Sequence, residues 1–443
     1  MKFRNILALL LYKKKSRAEY YKKLKRRDAY SGENLYFTQW KKLKKLLNYC
    51  YYKIPYYEKL FKTLDIHPDD IKTLRDFRQI PELDKAAILE NNYELINPEL
   101  RKSSLLSAYI SSSSGIPAKI YHTFNDMEYM QAIRARSNSW CGWDYSDKTY
   151  WITTSKNKFS LSNNKANTKN ISPASMSFWA KQIKMYKPKY LYGDPSLIEE
   201  FSEFLSEKRI SFEGIKAVIT RAEPLAQRTL IARVFKAPVY AEYGCQEVPY
   251  IAHECPKGNM HVNIDEVLVE LEDANHGGKN LICSPLYAYG MPLLRYNTQD
   301  MVIAVRDGDS CECGLPYPVI ELKRERTNDN LLSSNGKLVP GSVISSSISV
   351  ATSGVRQFQV VQKDLQSITV KISTSECSGE KNEHNIKKLF YELMETNLLK
   401  INFEYHERIP ADIDGKFRPV ISNIINNLNY KKNIRCKPLN VCK

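Results

Sequence analysis

The feature that most constrains this chain is the alternation of pattern between residues 188 and 242. Pro188-Lys-Tyr-Leu-Tyr192 reads as a strand, Ser196 to Lys208 as a helix and Ala217 to Thr220 as a strand. Ala226 to Phe235 is again helical, and Val239 to Glu242 returns to strand. Short apolar strands separated by helices cannot pair as hairpins; they build a parallel or mixed sheet with helices on its faces. The expected class is α/β, with a large N-terminal domain over residues 1–325 of mixed or parallel sheets flanked by helices. Beyond about residue 325 the character changes. Gln357–Gln362, Ser367–Ile372 and Asn402–His406 read as strands and His384–Asn397 as a helix, which predicts a small, mobile α+β domain over 326–430. A polar linker around Arg326 to Asn335 would join the two, and a basic tail, 431–443, would follow. At 443 residues the chain is longer than one hydrophobic core usually serves, which agrees with two domains.

The formal net charge is +17, but it is unevenly placed. Residues 1–50 hold 15 Lys or Arg against 3 acids, and residues 431–443 hold 5 and none, so the ends account for the whole excess. The body between them is neutral, which argues against nucleic acid as a partner. The basic helical N-terminal extension and the tail suit either solvent or peripheral contact with an anionic membrane. No apolar run approaches the roughly 20 residues a bilayer span needs, and Ile6 to Leu11 lacks the marks of a signal peptide. The expectation is a cytoplasmic protein, with a membrane-peripheral location as the variant, and a monomer or homodimer.

Ten cysteines without a secretory leader suggest a reducing compartment. Two close pairs stand out: Cys255 with His261, and Cys311 with Cys313. Thiolate and imidazole pairs about fifty residues apart suit a tetrahedral Zn²⁺, and four protein ligands would make it structural. His253 competes for the histidine place, and separate roles for the four residues are the alternative.

Four further constellations carry chemistry. Ser111, Ser112, Ser113 and Ser114, followed by Gly115, follow an apolar segment, and their amides and hydroxyls could surround phosphate oxygens. Glu242-Tyr-Gly-Cys-Gln-Glu247 closes a predicted strand and offers the Glu247 carboxylate to a hard cation such as Mg²⁺. Arg295-Tyr-Asn-Thr-Gln-Asp300 places an aspartate where it could accept hydrogen bonds from a ribose. Ile409-Pro-Ala-Asp-Ile-Asp-Gly-Lys-Phe-Arg418 puts Lys416 at a loop tip, where it could bridge a carboxylate and a phosphate. Each alone has an ordinary structural explanation as a turn or a solvated loop.

In this order and at these separations, the four resemble the adenylate-forming superfamily of acyl-CoA synthetases. The likeness is to its branch of phenylacetate–CoA ligases and CapK-like proteins of capsular polysaccharide biosynthesis. Ile54-Pro-Tyr-Tyr57, Ile80-Pro-Glu-Leu-Asp-Lys85, Tyr192-Gly-Asp-Pro195, Ala252-His-Glu-Cys255 and Met291-Pro-Leu-Leu-Arg-Tyr296 continue it along most of the chain. The resemblance implies that Ser111 to Gly115 hold the ATP phosphates, with Lys119 near them. Ala222, Glu223 and Pro224 would line the adenine site with Tyr243 and Gly244, and Asp300, helped by Arg326, would grip the ribose. Glu247 would bind Mg²⁺, Lys416 would catalyse adenylation, and Asp329 would be the hinge between two half-reactions. The substrates implied are a small-molecule carboxylate, ATP and an acceptor thiol or amine, with CoA the leading candidate.

The sequence also departs from that pattern. Ser112 stands where the phosphate loop usually has glycine, Gln299 replaces the glycine before Asp300, and Glu325 replaces the one before Arg326. Three functions stay open at this point: an AMP-forming ligase, an adenylyltransferase that leaves AMP on its acceptor, and a degenerate scaffold of a glycan assembly.

Overall fold

The computed structural model describes residues 16–110, 118–153, 165–166, 168, 172–221, 225, 227–273, 279–308, 311–326, 330–336, 338–339, 341–352, 355–374, 379–407, 409 and 418–424. A two-stranded ribbon of β1 (Leu105–Ile110) and β2 (Ala118–Thr123) precedes the main sheet. The sheet's parallel half consists of β3 (Thr149–Ile152), β4 (Tyr190–Gly193), β5 (Ala217–Arg221) and β6 (Val239–Tyr243). It continues antiparallel through β7 (Ala252–Glu254), β8 (Met260–Val262), β9 (Val267–Asp273), β10 (Lys279–Pro285), β11 (Tyr296–Arg306) and β12 (Val319–Arg326). The ten strands lie in the order β3-β4-β5-β6-β7-β8-β12-β11-β10-β9. The expected alternation after residue 188 is therefore present, and it forms only the parallel half of a mixed sheet.

Local chemistry starts and stops the helices of that half. Pro173 and Pro195 occupy first-turn positions, where the missing N–H costs nothing, and Ser172 caps the helix Pro173–Tyr186. Lys187 and Lys236 end their helices in the left-handed conformation. These helices bury Trp179, Leu197, Phe201 and Ile231 against Ile152, Leu191, Val218 and Val239, the alternate residues on one face of β3–β6. Gly193 is required there, because a Cβ would lie 1.8 Å from the carbonyl oxygen of Ile152.

The basic N-terminal segment folds into this domain. From the helix Gly32–Lys53, Leu35, Leu43, Leu46 and Leu47 are fully buried and share a core with Leu281 and Leu294. Its charges also turn inward. Arg27 pairs with Asp265 at 2.8 Å and Glu266 at 2.6 Å, Lys42 with Glu266 at 2.5 Å, and Arg17 with Glu128 at 2.9 Å. Arg136, fully buried, adds two bonds to Asp265, at 2.9 and 3.0 Å. Burial alone would push the Asp265 carboxyl up, but Arg136, Lys42 and Arg27 outweigh it and hold it well below the usual range. Three of the ten Lys and Arg of residues 16–50 are thus neutralised internally, by acids of the nominally neutral body.

The C-terminal unit begins with the ribbon β13 (Leu331–Leu332) and β14 (Leu338–Val339). It continues with β15 (Val355–Asp364), β16 (Ser367–Thr374), β17 (Lys400–Tyr405) and β18 (Val420–Ser422), in sheet order β17-β16-β15-β18. Helices Gly341–Ala351 and Gly379–Met394 complete a separate core around Ile344, Val360, Ile386 and Phe390. The expected strands and helix of this α+β domain are all present. Among the described residues no helix is long and apolar enough to cross a membrane.

Candidate active site

Strand β6 ends at Tyr243, and Gly244 opens the turn that follows. A Cβ on Gly244 would sit 2.7 Å from the amide nitrogen of Tyr250 and 3.0 Å from the carbonyl of Val248, so only glycine lets the chain fold back this tightly. The turn presents Glu247 beneath the strand ends. The Tyr243 hydroxyl donates to Asp300 Oδ2 at 2.6 Å, joining β6 to β11 across 57 residues of sequence. Glu247, only 4% exposed, accepts from the Tyr296 hydroxyl at 2.7 Å. Burial, reinforced by Asp300 and Glu247 respectively, pushes both phenols well up, so both stay protonated donors.

Asp300 owes its position to an unusual residue. Gln299 has φ 60°, in the left-handed region that glycine favours, and its amide is held by Asn297 Oδ1 at 2.9 Å. The turn before Asp300 is therefore kept although the glycine is absent, at a strain of about 1–2 kcal/mol. Asp300 and Arg326 are register partners on β11 and β12, which brings those two backbones side by side.

The structure also brings in residues that sequence reasoning left without a role. Lys85 starts the helix Lys85–Glu90, capped by Asp84, and its ammonium lies 3.6 Å from Glu247 Oε1. The neighbouring Leu83 forms a parallel bridge to Tyr296, so the Ile80–Lys85 segment reaches the site from the far N-terminal part of the chain. Ser111 to Gly115, Ala222 to Pro224, Asp329 and Lys416 lie outside the described residues; the serine segment joins β1 to β2, and residue 222 follows β5. Trp140 and Trp143 pack in aromatic clusters with Tyr317 and Tyr145, whereas Trp151 packs against Tyr192 with ring centroids 4.3 Å apart and planes tilted by 50°.

At the other side of the sheet, the four expected soft ligands converge. Cys255 Sγ lies 3.7 Å from Cys311 Sγ, Cys311 Sγ 3.3 Å from Cys313 Sγ, and Cys313 Sγ 3.2 Å from His261 Nε2. All four ligand atoms fall within 4.8 Å of one another. Zn–S bonds of about 2.3 Å in a tetrahedron put sulfurs about 3.8 Å apart, so the donor set fits such an ion closely. His261 Nδ1 faces the Tyr317 carbonyl at 2.6 Å; a proton there leaves the Nε2 lone pair aimed at the sulfurs. Burial lowers the His261 pKa and favours that neutral ring. His253 pairs opposite His261 in register but turns its Nδ1 to the Glu254 carbonyl at 2.7 Å, and it is not in the cluster.

The fold has counterparts among known proteins. Residues 331–423 match the CapK C-terminal domain family. Protein CapK of Staphylococcus aureus is 26% identical over 450 aligned residues, covering 95% of this chain and 96% of that protein. Phenylacetate-coenzyme A ligase of Escherichia coli K12 is 27% identical over 301 residues, covering 62% of this chain and 68% of that one. Among solved structures, 2-hydroxyisobutyryl-CoA ligase in its postadenylation state superposes with a TM-score of 0.66 at 17% identity, covering 89% of this chain and 91% of that chain. The chain is thus a homologue of CapK and the phenylacetate–CoA ligases, with the fold of the adenylate-forming CoA ligases.

Proposed function

We propose that the protein is an ATP-dependent ligase that activates a carboxylate as its acyl-adenylate. The observation that carries this reading is the meeting of Tyr243, Glu247 and Asp300 where the end of β6 faces β11, with the Tyr243–Asp300 bond at 2.6 Å. In this reading Asp300 holds the ribose, Ser111 to Gly115 the phosphates, and Ala222 to Pro224 with Tyr243 and Gly244 the adenine; Arg326 assists at the ribose. A substrate carboxylate oxygen bonds to the α-phosphorus as the bond to the bridging oxygen breaks, and pyrophosphate leaves. Lys416 steadies both anions during that exchange. Mg²⁺ is usually held by one or two carboxylates plus phosphate oxygens, a role that the buried Glu247 fits. The C-terminal domain then turns about Asp329 and admits CoA or another thiol or amine.

Zn²⁺ at Cys255, His261, Cys311 and Cys313 would tie the β7–β8 hairpin to the loop before β12; with four protein ligands it has a structural part only. A place in surface polysaccharide biosynthesis rests on the resemblance to CapK. Contact of the basic ends with anionic lipid is restricted by the inward ion pairs of Arg17, Arg27 and Lys42 to the charges that remain.

The degenerate-scaffold reading predicts that turns at the nucleotide site drift once their glycines are lost. Gln299 at φ 60° speaks against it. The test is substrate-dependent pyrophosphate release across aryl, amino and sugar acids, with calorimetry against MgATP. No binding at millimolar nucleotide would favour the scaffold.

A further inference from the structure

The parallel strands carry a second constellation beside the proposed nucleotide site. Their registers align Trp151, Tyr192, Ile219 and Tyr240 across β3–β6, on the face opposite the helices Pro173–Tyr186 and Pro195–Glu207. That line is mainly aromatic and apolar. Two residues further toward the carboxyl ends, on the same face, the character reverses: Thr153, Asp194, Arg221 and Glu242 follow one another. Arg221 and Glu242 are direct register partners. The Thr153 hydroxyl donates to Asp194 Oδ1 at 2.9 Å, and the Tyr192 hydroxyl donates to Glu242 Oε2 at 2.7 Å. Arg134, from the helix Phe124–Trp140, spreads its guanidinium over Trp151 at 4.7 Å and Tyr192 at 5.5 Å from the ring centroids.

This polar row is in the right place for substrate. Ligands of parallel α/β sheets bind at the carboxyl ends of the strands. Glu242 is followed directly by Tyr243, which holds Asp300, so the row adjoins the proposed nucleotide site. It is also a costly thing to bury. Asp194 and Glu242 are both buried, and burial pushes the Glu242 carboxyl up against the opposing pull of Arg221, Tyr192 and Arg134. An aryl or alkyl tail laid on these groups would remove the little water that Asp194 and Glu242 still meet and return no hydrogen bonds. A tail with hydroxyl groups replaces the water bond for bond.

We infer that Arg134, Arg221 and Glu242, the last held by the buried Tyr192, line the acyl pocket and select a carboxylic acid with a hydroxylated tail, such as a sugar or polyhydroxy acid, over aryl and alkyl acids. The inference rests on the adenylating reading above and names its substrate class. A site built to bond hydroxyls rejects analogues that lack them far more strongly than an apolar pocket rejects a lost methylene.

The experiment measures pyrophosphate release by the full chain with MgATP and a matched panel: glucuronate, galacturonate and glycerate against phenylacetate, benzoate and butyrate. The expected result is at least about a hundredfold higher kcat/KM for the best hydroxylated acid. In Arg134→Met that ratio should fall at least about tenfold, through a higher KM for the hydroxylated acid. Preference for an aryl or alkyl acid, or an unchanged ratio in Arg134→Met, overturns the pocket assignment while leaving adenylation intact. MgATP binding without activation of any hydroxylated acid also overturns it. Absence of MgATP binding removes the adenylating reading itself, and the inference with it.

Discussion

Zn²⁺ bound at the Cys255–His261–Cys311–Cys313 cluster should stabilise the large domain measurably. The magnitude follows from mass action. Three thiol sulfurs and a preoriented imidazole nitrogen stand 3.2–3.7 Å apart along the chain of contacts, so little reorganisation opposes binding. For a dissociation constant on the order of 1 nM and about 1 μM free Zn²⁺, native-state binding adds about 4 kcal/mol. At about 2–4 °C per kcal/mol for a large domain, melting should fall by roughly 10 °C on chelation and recover on adding Zn²⁺. Cys311→Ser should abolish the recovery, because Cys311 touches both Cys255 and Cys313 and also accepts from Asn259 at 3.1 Å. The assay is calorimetric melting with elemental analysis of the same sample, and about one Zn per chain is expected. A protein that takes up no zinc after loading, and melts at the same temperature with or without chelator, refutes the reasoning. The four residues would then be separate thiols and a packed histidine.

Other consequences are equally direct. Arg136→Met removes both bonds to Asp265 and leaves a buried carboxylate short of its main partner; denaturant unfolding should show a loss of about 3–5 kcal/mol. Gln299→Val places a β-branched residue at φ 60°, where it fits worse than Gln; a loss of about 1–2 kcal/mol and weaker MgATP binding by calorimetry are expected. His122 is buried, and burial lowers its pKa from 6.5 to about 4. The unfolded chain therefore takes up a proton that the folded one refuses, so the contribution is intact above pH 6.5 and is lost as pH falls toward 4. The total is about 3 kcal/mol, and His122→Gln should flatten that part of the stability–pH curve.

Much of this architecture is legible in the residues. The strands at 217–220 and 239–242 and the C-terminal α+β elements follow from period and punctuation, and the four soft ligands follow from spacing alone. What is not legible depends on pairing across long distances. Lys85 meets Glu247 only because Leu83 bridges to Tyr296, a contact that no local pattern announces. The basic N-terminal segment reads as a solvated face, since periodicity does not reveal that Asp265 and Glu266 wait for Arg27 and Lys42. The polar row of Arg221 and Glu242 is invisible for the same reason: Arg221 ends one apolar strand, Glu242 stands one residue before the end of the next, and only the register sets them side by side.

The most direct measurement is ATP–pyrophosphate exchange with an activated acid, comparing the unmodified chain with Lys416→Ala. If Lys416 steadies the reacting anions, exchange should drop by at least about a hundredfold while MgATP still binds. Exchange that persists at the original rate in Lys416→Ala would contradict the account at its centre.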